Sequence, residues 1–162
     1  MKALLNELGR TVTMFAAAAI IIGIVGLVMG AGSALDGELA GYAAMLVGML
    51  GIVAGTMIFT GSGTGTFFDG MNVGMLWALA HVPYVRYFNA ETGVDYEYPL
   101  PAFGAIFQME SSRSVNGDVV LRDSWGIGFL GIILVVLAVT ARKDWLRYRL
   151  RQEASGEARS AG

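Results

Sequence analysis

Cysteine is absent from this chain of 162 residues, and histidine occurs once, at His81. Without cysteine the chain forms no disulfide and offers no thiolate to a metal ion or to a substrate. With one histidine it cannot hold a haem iron between two of its own imidazoles. Charged residues are scarce at 15%, whereas hydrophobic residues make up 55%. This balance is typical of a membrane protein rather than of a water-soluble domain.

An excess of positive charge is also missing, because 11 Lys and Arg stand against 13 Asp and Glu. The composition therefore gives no indication of nucleic-acid binding. The charges are distributed unevenly, since 91–123 is acidic and the end of the chain is basic. Cationic flanks stay on the cytoplasmic side of a membrane. We interpret the basic segment either as a plain topology anchor or as a contact for anionic lipid or a partner. Its cationic residues are Arg142, Lys143, Arg147, Arg149 and Arg151.

Four apolar stretches predict an all-α polytopic membrane protein with four transmembrane crossings, at 11–35, 39–60, 71–85 and 125–141. The third is the weakest, because 71–85 covers only about 22 Å as a helix, against a hydrocarbon core of about 30 Å. Four crossings place both termini in the cytoplasm, which fits the basic residues at each end. The predicted location is the plasma or inner membrane. The alternative is three crossings plus an interfacial helix at 71–85.

A cleaved signal peptide is a second interpretation of the first stretch, because Ala31, Gly32, Ser33 and Ala34 imitate a cleavage site. The apolar run at 11–35 is longer than the core of a signal peptide. We therefore expect an uncleaved span.

The connection 86–124 is predicted to lie outside the cytoplasm and to carry a small β-hairpin. Its indicator is Asn116-Gly117, because both residues tolerate a positive φ. We expect one membrane domain over 1–151 and a disordered cytoplasmic tail over 152–162. No metal site is expected in this loop. Its acids are expected to form a solvated face, and they are Glu91, Asp95, Glu97, Glu110, Asp118 and Asp123.

Small residues recur within the first two stretches, where they allow helices to approach closely. Gly26 and Gly30 form a GxxxG pair in the first stretch. The predicted helix-packing residues are Gly26, Gly30, Gly48, Gly51 and Gly55. We interpret them as contact faces for other membrane subunits or for a second copy.

Glycine alternates with Ser and Thr in 61–70, so this segment is not predicted to be a regular helix. A flexible loop is one interpretation, and a backbone nest for an anion or a polar turn lining a pore is another. The P-loop lysine is missing, which argues against nucleotide binding. Asp69 fits the first turn of a following helix equally well. The candidate pore or polar-loop residues are Gly61, Ser62, Gly63, Thr64, Asp69 and Asn72.

His81 is the candidate cofactor-binding residue, because an ionisable side chain in an apolar segment is a functional candidate. It is suited to ligating haem, binding a quinone or relaying a proton. The alternative is a hydrogen bond to a backbone carbonyl that lacks its helical partner near Pro83.

The functional hypothesis is a non-catalytic membrane subunit that assembles or stabilises a larger complex. The predicted spans contain almost no charge, whereas pumps and coupled carriers place ionisable groups there. No catalytic motif appears, so we expect no enzyme and no resident cofactor. The predicted partners are membrane lipids and other subunits or a second copy. The alternatives are a small homo-oligomeric channel and a redox subunit that uses His81.

Overall fold

The computed structural model describes residues 9–35, 39–61, 65–98 and 105–160, with the main chain alone at 39–40, 96 and 151–160. The helices are α1 (Arg10–Leu35), α2 (Leu39–Thr60), α3 (Gly65–Ala80) and α4 (Phe129–Ser160). The strands are β1 (Pro83–Asn89), β2 (Val94–Tyr98), β3 (Ala105–Val115) and β4 (Asp118–Gly128).

The four helices pack as a bundle in which α1 contacts α2 and α4, and α3 contacts α2 and α4. The helices supply small, aliphatic and aromatic side chains to one core between them, where small residues allow close approach and larger side chains fill the remaining space. The buried side chains of this core are Val12, Phe15, Ala16, Ala19, Ile58, Phe67, Met71, Trp77, Ala78, Leu130, Leu134, Ala138 and Ala141. Since α1 contributes to this core, cleavage near Ala34 would remove part of it.

Large apolar side chains also cover the outside of the bundle. Arg10–Leu35 and Gly41–Thr60 are long and apolar enough to cross a membrane, and only 28% of the most apolar window of each is buried. A core helix of a water-soluble protein is mostly buried, whereas these helices are apolar on their exposed sides too. Exposed examples on α1 are Ile21, Val28 and Met29. The two helices therefore indicate that the protein associates with a membrane.

The prediction of an all-α protein with four crossings is wrong. Within the described ranges two helices, and not four, are long and apolar enough to cross. The expected span 71–85 fails because α3 ends at Ala80 and Pro83 begins a strand. The expected span 125–141 fails because Trp125 to Gly128 belong to β4, so the charge-free part of α4 starts only at Phe129. Short apolar runs of this kind do not by themselves distinguish strand from helix.

Instead of one small hairpin, the connection 86–124 contributes to an antiparallel sheet with the strand order β2-β1-β4-β3. Asn116 and Gly117 make the expected turn, with φ of 55° and 91°. The β3–β4 hairpin on either side extends over eleven residues per strand. A two-stranded hairpin is only marginally stable by itself. Here β1 and β2 widen it into a stable four-stranded sheet.

Two short connections join the sheet to the bundle. His81 and Val82 link α3 to β1, while β4 continues directly into α4 at Gly128. The amide of Gly128 donates to the carbonyl of Val82 over 2.7 Å. At Gly131, α4 approaches the carbonyl of His81 so closely that a Cβ atom has no room. The sheet is therefore held against the ends of α3 and α4.

Helix α4 continues beyond the basic segment to Ser160. Its main chain carries on without a break from the basic segment. The turn at 36–38 lies outside the described residues.

Candidate functional site

His81 lies in the turn that follows α3, outside both helices that are long enough to cross a membrane, and its side chain is buried. Its Nδ1 is 2.9 Å from the carbonyl oxygen of Trp77. A carbonyl only accepts, so Nδ1 carries the proton and neutral His81 keeps its lone pair on Nε2. The backbone amide of His81 donates to Ala78 instead, which leaves the Trp77 carbonyl free for this bond. The ring thus terminates α3.

Two aromatic rings flank the imidazole. Trp77 meets it edge to face at 4.8 Å between centroids, and Tyr98 stacks on it at 6.3 Å. The hydroxyl of Tyr98 donates to the carbonyl of Ala80 over 2.9 Å. Tyr98 therefore ties the end of β2 to the end of α3.

A cavity of about 10 Å³ lies beside these rings. That volume holds about one water molecule. It is too small for a haem or a quinone ring, while Nδ1 of His81 and the hydroxyl of Tyr98 donate to main-chain carbonyls. Its lining residues are Ile22, Gly26, Ala44, Val47, Gly48, His81 and Tyr98.

Burial lowers the pKa of His81 below its ordinary value of 6.5, and the hydrogen bond to Trp77 opposes this shift. The unfolded chain therefore takes up the proton first as the pH falls. We expect the stability that neutral His81 contributes to be fully present above about pH 6.5 and to decrease below it. The free energy of unfolding of the detergent-solubilised protein should therefore be lower at about pH 5.5 than at about pH 7.5. His81→Gln should show a smaller dependence, and an equal dependence in both proteins would contradict the prediction.

The glycines predicted to pack helices lie between helices of this chain. A Cβ at Gly48 would stand 2.6 Å from the carbonyl oxygen of Gly23, and one at Gly30 would stand 2.6 Å from that of Gly41. One at Gly55 would meet the carbonyl of Ala16 at 2.5 Å. At Gly51 the neighbour is the indole Nε1 of Trp77, again at 2.6 Å. Gly26 is looser, with its closest atoms at 3.6 Å. These contacts are made within the chain, so they do not identify a surface for another subunit.

The candidate pore residues do not meet inside the bundle. Asp69 and Asn72 are exposed on α3, one helical turn apart. Gly61 follows α2, where its amide donates to the carbonyl of Met57 over 2.9 Å. Ser62, Gly63 and Thr64 lie outside the described residues. One copy of the chain thus presents Asp69 and Asn72 on its outer surface.

The basic segment is attached to the start of α1 and α3. The hydroxyl of Thr11 donates to Asp144 over 2.7 Å. Trp145 stacks on Phe67 at 5.0 Å and meets Phe68 edge to face at 4.7 Å. Arg142 and Lys143 are exposed, and Asp144 has Arg147 at 3.9 Å. Arg149 lies over the ring of Trp145 at 5.4 Å, while the side chain of Arg151 is outside the described set.

Acidic residues of 86–124, the connection predicted to be an outer loop, pair with neighbours on one face of the sheet. Arg86 is 3.6 Å from Asp95, and Arg122 is 2.9 Å from Glu110. The hydroxyl of Tyr84 donates to Glu97 over 3.2 Å. Burial and the negative charge of Glu97 raise the pKa of Tyr84 above its ordinary value. Among the described residues no three His, Cys, Asp or Glu are grouped as metal ligands.

Sequence reasoning missed Tyr98 and the apolar face of the sheet. Tyr98 closes the alternating run VDYEY, which is a strand signal. Phe107 with Met109, and Trp125 with Ile127, are likewise spaced by two. That spacing could have identified the strands.

Comparison with protein-family models, curated protein sequences and solved structures found no match for this chain.

Proposed function

We propose that this protein is a non-catalytic membrane subunit whose helices hold a β-sheet at the membrane for contact with another membrane subunit. The observation that carries this proposal is β3. It is one of the two outer strands of the sheet, and ten of its eleven residues are exposed. Its outer edge has no partner strand in the described part of the chain. An exposed edge accepts an extended segment of another chain through main-chain hydrogen bonds.

The geometry around His81 favours a structural role over a catalytic one. The cavity has room for about one water. His81 terminates α3, and Tyr98 fastens β2 to the same helix end. Both side chains therefore contribute to fixing the sheet relative to the bundle, which a docking surface requires.

We further propose that the protein is a multi-pass protein of the plasma or inner membrane, with the start of α1 and the basic segment of α4 in the cytoplasm. The bond between Thr11 and Asp144 supports placing these two ends on the same side. The positive charge around Arg142 and Lys143 favours the cytoplasmic side.

Purification of the tagged chain from its native membranes in mild detergent tests the assembly role. We expect a second membrane protein to co-purify in a fixed ratio. Ser112→Lys should reduce this recovery several-fold, because a charge on an edge strand opposes strand addition. Thr92→Lys is the matched control, since Thr92 is exposed in the β1–β2 turn, away from the β3 edge.

Recovery of a single monodisperse protomer, or of copies of this chain alone, would contradict the proposal. The second result would favour the homo-oligomeric alternative. Both variants should keep the circular dichroism spectrum of the unaltered protein, so that a loss of partner is not a loss of fold.

A further inference from the structure

We infer that one face of the sheet, next to the helices, contacts lipid chains of the bilayer. This inference concerns a surface distinct from the free edge of β3 and does not depend on the assembly role. The surface, called here the apolar sheet face, consists of Pro83, Val85, Phe107, Met109, Trp125 and Ile127.

The strand register assembles these six side chains into two rows across three strands. Pro83 pairs with Ile127, and Ile127 with Phe107. One step further from the helices, Val85 pairs with Trp125, and Trp125 with Met109. Directly paired residues project from the same face of an antiparallel sheet. All six are exposed, Trp125 by 60%.

The next row marks a change of polarity. Tyr87 pairs with Asp123, and Asp123 with Ser111. The apolar sheet face therefore ends after two rows, which lie about 7 Å apart at the rise of a strand. Such a change from apolar residues to a tyrosine, an aspartate and a serine at one height on the three strands is expected where lipid gives way to water.

The height of this face relative to the spanning helices supports lipid as its neighbour. Tyr98, which pairs with Val85, shares a cavity with Ile22 and Gly26 of α1. From Gly26, α1 continues to Leu35, about 14 Å further at the helical rise. The exposed side chains on that part of α1 include Val28 and Met29. The second row of the sheet thus stands beside a helix that is still apolar on its outer side.

The length of α4 supports the same depth of the apolar sheet face in the membrane. From Phe129 to Ala141, the charge-free part of α4 covers about 20 Å, less than a hydrocarbon core of about 30 Å. On α4, Phe129, Ile132 and Ile133 are exposed, and they follow closely in sequence on Trp125 and Ile127 of the two apolar rows. The two rows add most of the missing thickness, so that Asp123 and Ser111 reach the headgroups.

Main-chain pairing is compatible with this placement. β4 lies between β1 and β3 along both rows, so its amides and carbonyls have neighbours on both sides, and β1 has β2 on its other side from Val85 onward. Lipid contact requires such pairing, because hydrocarbon offers no hydrogen-bond partner. On β3, Glu110 follows Met109 at once, so the apolar part of its open edge is short.

Site-directed spin labelling tests this inference, and the absence of native cysteine makes single-cysteine variants of the full chain direct to obtain. Met109→Cys probes the apolar sheet face. Arg113→Cys is the matched control, because it is exposed on the same strand and face, four residues further along. Val28→Cys is the lipid reference on α1. Each labelled protein is reconstituted into phosphatidylcholine vesicles and exposed to oxygen, which concentrates in lipid, and to a water-soluble nickel chelate.

At position 109 we expect collisions with oxygen to exceed those with nickel by a ratio similar to that at position 28 and several-fold above that at position 113. A ratio at 109 equal to that at 113, with position 28 in lipid, would overturn the inference alone. Protection of position 109 from both reagents would also overturn it, because a protein surface would then cover the face. A water-like ratio at position 28 would overturn it too, by removing the membrane insertion of α1.

Discussion

Gly48→Ala is expected to separate α1 from α2 and to lower the free energy of unfolding by about 1–3 kcal/mol, the usual cost of overpacking. The added Cβ would stand 2.6 Å from the carbonyl oxygen of Gly23 and 2.7 Å from the amide nitrogen of Leu27. Both atoms belong to the main chain of α1, so neither can rotate away as a side chain does. Gly48→Leu places more atoms in the same space and should prevent the helices from packing.

Gly26→Ala is the matched control for Gly48→Ala, because it lies in the same helix pair. Its added Cβ would have its nearest neighbours at 3.6 Å, an ordinary contact distance. Alanine favours a helix over glycine by about 1 kcal/mol, so this variant should be neutral or slightly stabilised. Titration with sodium dodecyl sulfate, followed by tryptophan fluorescence, measures both. Equal losses at positions 26 and 48 would show that close helix contact is not what glycine provides here.

Trp77→Ala is expected to be the most destabilising single truncation of the core. Trp77 is fully buried, with Phe15 at 6.2 Å and His81 at 4.8 Å between ring centroids. Removing such a ring costs about 3–5 kcal/mol in water-soluble cores. The lower end applies here, because an unfolded helix that remains in lipid keeps its side chains in apolar surroundings.

Trp77→Phe separates packing from hydrogen bonding. The indole Nε1 is buried and has no acceptor in the described part of the structure. Phenylalanine loses no hydrogen bond and keeps one ring, so it should retain most of the stability. Trp125→Ala is the control for removing an exposed tryptophan, and it should have little effect on unfolding. If Trp77→Phe and Trp77→Ala were equally destabilised, the indole nitrogen would have to contribute a bond.

These two positions illustrate how far sequence reasoning reached. The spacing of Gly48, Gly51 and Gly55 indicated close helix contact, because small residues at near-helical spacing let another helix approach. It did not reveal that the contacts lie inside the chain, since the residues of a helix face do not specify which helix packs against them. Trp77 drew no attention as a core residue, because an apolar segment without charge gives no sign of which side is buried.

The error in fold class has the same cause, because the sequence does not specify which distant segments pack together. The turn at Asn116-Gly117 was found from two residues, because the conformation that it requires is local. The partners of that hairpin were not found, since Val85 meets Trp125 across forty residues of chain. His81 was identified as a candidate because it lies in an apolar segment. Only the folded chain shows that Trp77 and Tyr98 surround it and that the adjoining cavity holds about one water.

By itself the sequence indicated association with a membrane and the extent of the first two helices, because hydropathy and charge act residue by residue. It also determined one turn, through the φ angles that asparagine and glycine accept. The tertiary structure decided which glycines face which helix, which apolar residues form the core, and that a sheet rather than two further spans completes the fold. These features depend on contacts between distant segments, and the energies of such contacts cannot be read from any single stretch of the chain.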